Sequence, residues 1–132
     1  REAGFGFVYM ENGNSVALSR ADFSTTPTDG IYMDDGNSFT MADTRMRDIG
    51  DDAFDIGANN ALSISGTTIS GTVGDDLFDF EGPGNVFTGS TGNVNDGAAI
   101  AADICDVSSG GFSGTFSFVD GTVLQNGVAP CL

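Results

Sequence analysis

Two stretches of this sequence hold most of the side chains that can do chemistry. Ile49-Gly50-Asp51-Asp52-Ala53-Phe54-Asp55-Ile56 is followed, twenty-four residues on, by Val73-Gly74-Asp75-Asp76-Leu77-Phe78-Asp79-Phe80. Both read aliphatic-Gly-Asp-Asp-apolar-Phe-Asp-apolar. Asp51, Asp52 and Asp55 are thus matched by Asp75, Asp76 and Asp79, with Asn59, Asn60 and Asn85 close behind. Hard cations take several oxygen ligands from flexible turns, and Asp, Asn and backbone carbonyls supply them. These six aspartates are therefore the candidate metal ligands, and calcium is the one cofactor the sequence admits, without requiring it. The competing reading is that Asp-Asp simply forms solvated turns. An EF-hand is absent: Asn93, Asn95 and Gly97 begin like one, but no acid stands at its twelfth position.

Other chemistry is removed by what the chain lacks. Its 132 residues contain 19 acids against four arginines (Arg1, Arg20, Arg45, Arg47), and no lysine, histidine or tryptophan. Without an imidazole there is no Ser-His-Asp or Cys-His site, and without lysine no Schiff base. Histidine-ligated zinc, copper or haem is excluded too. Carboxylate catalysis survives this filter, but neither Asp-Thr-Gly nor Asp-Ser-Gly occurs, and Glu2, Glu11 and Glu81 are the only glutamates. A glycosidase needs two carboxyls at a set separation in a sugar cleft. No catalytic residue is assigned, and the expectation is a protein that is not an enzyme.

The net charge is −15, spread unevenly: residues 1–47 hold seven acids and all four arginines, whereas residues 48–132 hold twelve acids and no cation. Such a chain repels phosphate backbones and anionic membrane surfaces, so neither nucleic acid nor a membrane is expected as partner. No run of eighteen apolar residues is available to span a bilayer.

The elements that must position the carboxylates read as strands within one domain, residues 1–132. Eleven Phe and two Tyr argue for a packed core, and twenty Gly for many tight turns. Apolar residues recur with period two: Phe5, Phe7 and Tyr9; Val16 and Leu18 after the Asn12-Gly13 turn; Leu62 and Ile64 among serines. Short runs separated by Gly, Asn and Asp predict an antiparallel all-β sandwich or small barrel of about eight to eleven strands. Thr40–Asp48, with Thr40 and Asp43 as a capping box, and the alanine-rich Ala98–Ile104 are the helix candidates. The Gly-Asp-Asp stretches are two copies, short of the three that a solenoid needs, and so read as two similar corners. Cys105 and Cys131 are expected to form a disulfide, since the short Cys-x-x-Cys spacing of a redox pair is missing. Closing that loop is worth roughly 3 kcal/mol.

Ile64-Ser65-Gly66-Thr67, Ile69-Ser70-Gly71-Thr72 and Ser113-Gly114-Thr115, together with the acidic turns, resemble in style the strands of bacterial extracellular β-proteins: surface-layer, pilus and adhesin modules. The expectation is an extracellular or cell-surface structural or adhesive domain whose partners are copies of itself or another surface protein. Phe5, Phe7 and Tyr9 form the candidate exchanged strand of a filament or layer, through strand addition within residues 1–10. Two alternatives stand beside it: a small-ligand-binding β-barrel with a Phe-lined cavity, and a carboxylate-only hydrolase.

Overall fold

The structure is a computed structural model; it describes the backbone of residues 6–90 and four later short strands, and the side chains of residues 6–86. The chain runs through β1 (Val8–Met10), β2 (Ser15–Ser19) and β3 (Asp22–Thr26), then repeats the course with β4 (Ile31–Met33), β5 (Ser38–Ala42) and β6 (Arg45–Ile49). A third turn follows in β7 (Phe54–Ile56), β8 (Ala61–Ser65) and β9 (Thr68–Val73). After β10 (Phe78–Phe80) and β11 (Asn85–Ser90) come β12 (Ala99–Ile100), β13 (Ile104–Asp106), β14 (Phe112–Gly114) and β15 (Gln125–Asn126).

Among the described strands, none pairs with its neighbour in sequence. Sheet 1 is ordered β1-β4-β7-β10-β13-β15, sheet 2 β14-β11-β8-β5-β2 and sheet 3 β12-β9-β6-β3. Val8 lies opposite Ile31 and Ile31 opposite Phe54, and the pairing is parallel. Each turn of the coil therefore lays three strands on the three below it, one in each sheet. The result is a parallel three-sided solenoid, of which β1–β9 make three complete turns. The antiparallel sandwich or barrel is thus corrected, as is its strand number, because the described residues alone form fifteen strands. Period-two alternation identifies a strand but carries no information about the direction of its partner.

The core lies inside the coil and is built by stacking like on like. Met10, Met33, Ile56 and Phe80 line up along sheet 1, as do Ile31, Phe54 and Phe78, whose two rings stack 4.5 Å apart at 7°. Phe39 and Leu62, then Met41 and Ile64, face them from sheet 2, and Met46 and Ile69 from sheet 3. Burial of each large side chain contributes about 1.5–3 kcal/mol. No single turn could gain this alone, because its strands of three to six residues have no partners until the next turn arrives. Phe39, Phe54, Phe78 and Phe80 fill this interior at 0–1% exposure, so they line no barrel cavity, and that alternative falls.

Both helix candidates fall as well. Residues 40–48 run through β5 and β6, and Asp43, the would-be capping residue, makes the bend between them at φ 50°. Thr44 is buried there with its hydroxyl donating to the Ala42 carbonyl at 3.0 Å. Within 98–104, Ala99–Ile100 is β12 and Ile104 begins β13. The Ser-Gly-Thr repeats also acquire a reason. Gly66 (φ 58°) stacks on Asp43 at that bend, where a Cβ would sit 2.6 Å from Asp43 Oδ1.

Candidate functional site

Two of the three bends carry ladders of polar side chains, and they differ in charge. Between sheets 1 and 2, the amide of Asn14 donates to Asn37 Oδ1 at 2.8 Å, that of Asn37 to Asn60 Oδ1 at 2.7 Å, and that of Asn60 to Asn85 Oδ1 at 2.8 Å. Between sheets 3 and 1 the ladder is made of aspartates. The Asp52 amide donates to Asp29 Oδ1 at 3.4 Å, and the Asp76 amide to Asp52 Oδ1 at 2.7 Å.

Sheet 1 begins immediately after the aspartate bend. Its outward positions on four successive strands are Tyr9, Tyr32, Asp55 and Asp79, in register. The ladder and this column bring carboxylate oxygens to within 4.8 Å of one another in three groups: Asp29, Asp52 and Asp55; Asp51, Asp52 and Asp75; Asp55, Asp79 and Glu81. Oxygens on opposite sides of a calcium ion, each at 2.3–2.6 Å from it, would lie about 5 Å apart, so the groups match the span of one coordination shell.

The electrostatics follow from burial and from the crowding of like charges. Burial pushes the Asp52 carboxyl up to about 8, helped by the Asp51, Asp79 and Asp76 charges and opposed by the amide of Asp76. Burial likewise lifts Asp55 to about 7, with Glu81, Asp29, Asp79 and Asp51 adding to it. Asp29 and Asp75 are raised as well, both mainly by burial, with the Asp51 charge contributing to each. Asp55 Oδ1 is buried and accepts no hydrogen bond. The one ion pair recorded among the described residues, Arg47 to Asp22 at 3.4 Å, lies on sheet 3. Burial and like charge thus make Asp52 and Asp55 harder to ionise than ordinary carboxyls, and Asp29 and Asp75 in the same direction.

Of the six aspartates singled out from the sequence, Asp51, Asp52 and Asp75 meet in one group and Asp55 and Asp79 in another. Asp76 is 3% exposed and serves the ladder through its amide. Sequence reasoning missed Asp29 and Glu81. The signal for Asp29 was present: it stands twenty-three residues before Asp52, as Asn37 stands before Asn60. Of the candidate exchanged strand, Tyr9 lies outward in β1, 50% exposed, and stacks on Tyr32 with ring centroids 5.1 Å apart at 7°. Phe7 packs against the core and stacks on Phe23 at 5.0 Å. Phe5 lies outside the described residues, as do Cys131 and the side chain of Cys105, so the disulfide does too. A cavity of about 360 Å³ opens at the first bend, lined by Tyr9, Met10, Glu11, Asn14, Ser15 and Val16. None of the grouped carboxylates lines it.

Among the described residues no helix is long and apolar enough to cross a membrane. No curated protein and no solved structure matches the chain. Residues 6–127 match the family model described as a right handed beta helix region, which agrees with the parallel solenoid and gives its hand.

Proposed function

Because this chain belongs to the right-handed β-helix family, we propose that it acts as a non-enzymatic structural or adhesive element outside the cell, stiffened by calcium and assembled with copies of itself or another surface protein. Fold does not dictate function, so the reading rests on the site. The observation that carries it is the set of three overlapping carboxylate groups, each with oxygens within 4.8 Å, on consecutive turns. Such a column repels itself, and a divalent cation held between two turns converts the repulsion into a clamp. Extracellular modules bind calcium with dissociation constants of about 10⁻⁴–10⁻³ M, which suits loosely built sites supplied from outside. The charge of −15 supports the expectation that nucleic acid is not a partner, since it would repel a phosphate backbone.

Thermal unfolding tests this directly. Calcium is expected to raise Tm well beyond sodium chloride of equal ionic strength, and a chelator is expected to reverse the gain. At a calcium concentration a hundred times the dissociation constant the stabilisation would be about 2.7 kcal/mol. Equal shifts with both salts would leave only screening and end the calcium reading.

A carboxylate hydrolase is the second reading, and one observation favours it. Asp52 and Asp55, lifted to about 8 and about 7, lie with Asp29 in one group and offer a protonated acid beside a carboxylate. Turnover of a glycan with a bell-shaped pH profile, lost in Asp55→Asn, would favour this reading over the structural one.

A further inference from the structure

The outer faces of sheets 1 and 3 carry complementary chemistry. On sheet 1, two successive turns repeat the pattern Tyr-x-acid: Tyr9-Met10-Glu11 and Tyr32-Met33-Asp34. The methionines point inward at 1–2% exposure, so each tyrosine and acid flanking them face out. The two rings stack on one another, and the Tyr32 hydroxyl donates to Asp34 Oδ1 at 3.1 Å, which holds that carboxylate beside its ring. Glu11 occupies the same place one turn earlier, next to the cavity that Tyr9 also lines. Carboxylates set beside tyrosine hydroxyls recognise a guanidinium by charge-assisted hydrogen bonds.

On sheet 3, Arg45 and Arg47 face outward from β6 on either side of buried Met46, and Asp48 is exposed at the bulge that follows them. Arg47 makes one half-exposed contact with Asp22, and Arg45 has no ion pair among the described residues. Residues two apart on a strand are separated by roughly 6.6–6.8 Å. That is the interval from Arg45 to Arg47, and equally from each tyrosine row to its acid row. With strands aligned, one guanidinium meets the tyrosines while the other meets Glu11 and Asp34.

We propose that the outward face of Tyr9, Tyr32, Glu11 and Asp34 receives the Arg45–Arg47 pair of a second copy of this chain. The inference rests on the self-assembling reading above and specifies its contact. Because the two faces belong to different sheets, the contact is heterologous. Each added copy leaves one receptor face and one arginine face open, so assembly propagates. The net charge of each copy opposes approach at long range. At about 0.15 M salt the screening length is about 8 Å, which damps whole-body repulsion more than contact pairs.

Sedimentation velocity across a concentration series in that salt tests the pairing, with chelator present so that calcium bridges do not contribute. The wild-type chain is expected to associate. Arg45→Glu/Arg47→Glu and Glu11→Arg/Asp34→Arg should each raise the concentration needed at least tenfold. An equimolar mixture of the two variants should associate again, which no folding defect would produce. Wild-type assemblies unaffected by either pair of changes would overturn this inference and leave self-assembly standing. A wild-type chain that stays monomeric with chelator overturns this inference, and one that stays monomeric with calcium restored overturns self-assembly as well.

Discussion

The asparagine bend and the aspartate bend solve the same problem with opposite electrostatics. Each passes a side-chain oxygen across turns to a backbone amide, at 2.7–2.8 Å in the first and 2.7–3.4 Å in the second. Asn37, Asn60 and Asn85 do so as neutral groups at 1–2% exposure. Asp29 and Asp52 do so as half-buried carboxyls raised above their ordinary range. The two ladders differ in one property: the aspartate carboxyls bind protons, and on the proposed reading a cation, where asparagine binds neither.

The largest expected effect breaks the neutral ladder. Asn85 accepts the Asn60 amide and donates to the carbonyls of Gly57 and Gly82, both at 2.8 Å. Asn85→Ala orphans these buried groups and is expected to cost about 3 kcal/mol or more by urea denaturation, at roughly 1–3 kcal/mol for each group left unsatisfied. Asn60→Ala should cost less, because Asn60 Nδ2 is buried without a hydrogen-bond partner.

The second prediction separates the bends by pH. Raised carboxyls make the native state bind protons that the unfolded chain releases near pH 4. Their stabilisation is complete below that pH and is lost as pH climbs toward about 7 for Asp55 and about 8 for Asp52. The urea midpoint should fall across this window without calcium, and Asp52→Asn/Asp55→Asn should flatten the fall. A slope unchanged in the double variant would place the titration elsewhere.

The smallest expected effect lies on sheet 3. Arg47 and Asp22 are half-exposed at 50% and 57%, so Arg47→Ala should change folding stability by less than about 1 kcal/mol. A larger loss would mean that this pair also supports the coil.

Strands were legible in the sequence; their partners were not. The Leu62 and Ile64 alternation marks β8 correctly, and the twenty-four-residue echo of the Gly-Asp-Asp stretches is one pitch of the coil. The echo looked like two isolated corners because the preceding turn reads Thr26-Pro27-Thr28-Asp29-Gly30-Ile31, which shares little beyond Asp29. The pitch also slides, from twenty-three residues between Ser38 and Ala61 to twenty-five between Ala61 and Val86, so a fixed period fades. What stays constant is the inward set and the amide-binding residue. Asn14, Asn37 and Asn60 at equal spacing were the plainest trace of the solenoid. The carboxylate groups were half legible: the repeated motif gave the six aspartates, the twenty-three-residue spacing held Asp29, and only stacking across turns brings Glu81 among them.

Calcium titration by calorimetry at pH about 6.5, in two buffers of different ionisation enthalpy, tests the central claim most directly, because it counts the protons that metal binding expels. With Asp52 and Asp55 protonated near neutrality, binding should release between one and two protons per calcium at that pH and almost none at pH 9. Binding without proton release, or heats no larger than those of sodium chloride at equal ionic strength, would contradict a cation site at the aspartate bend.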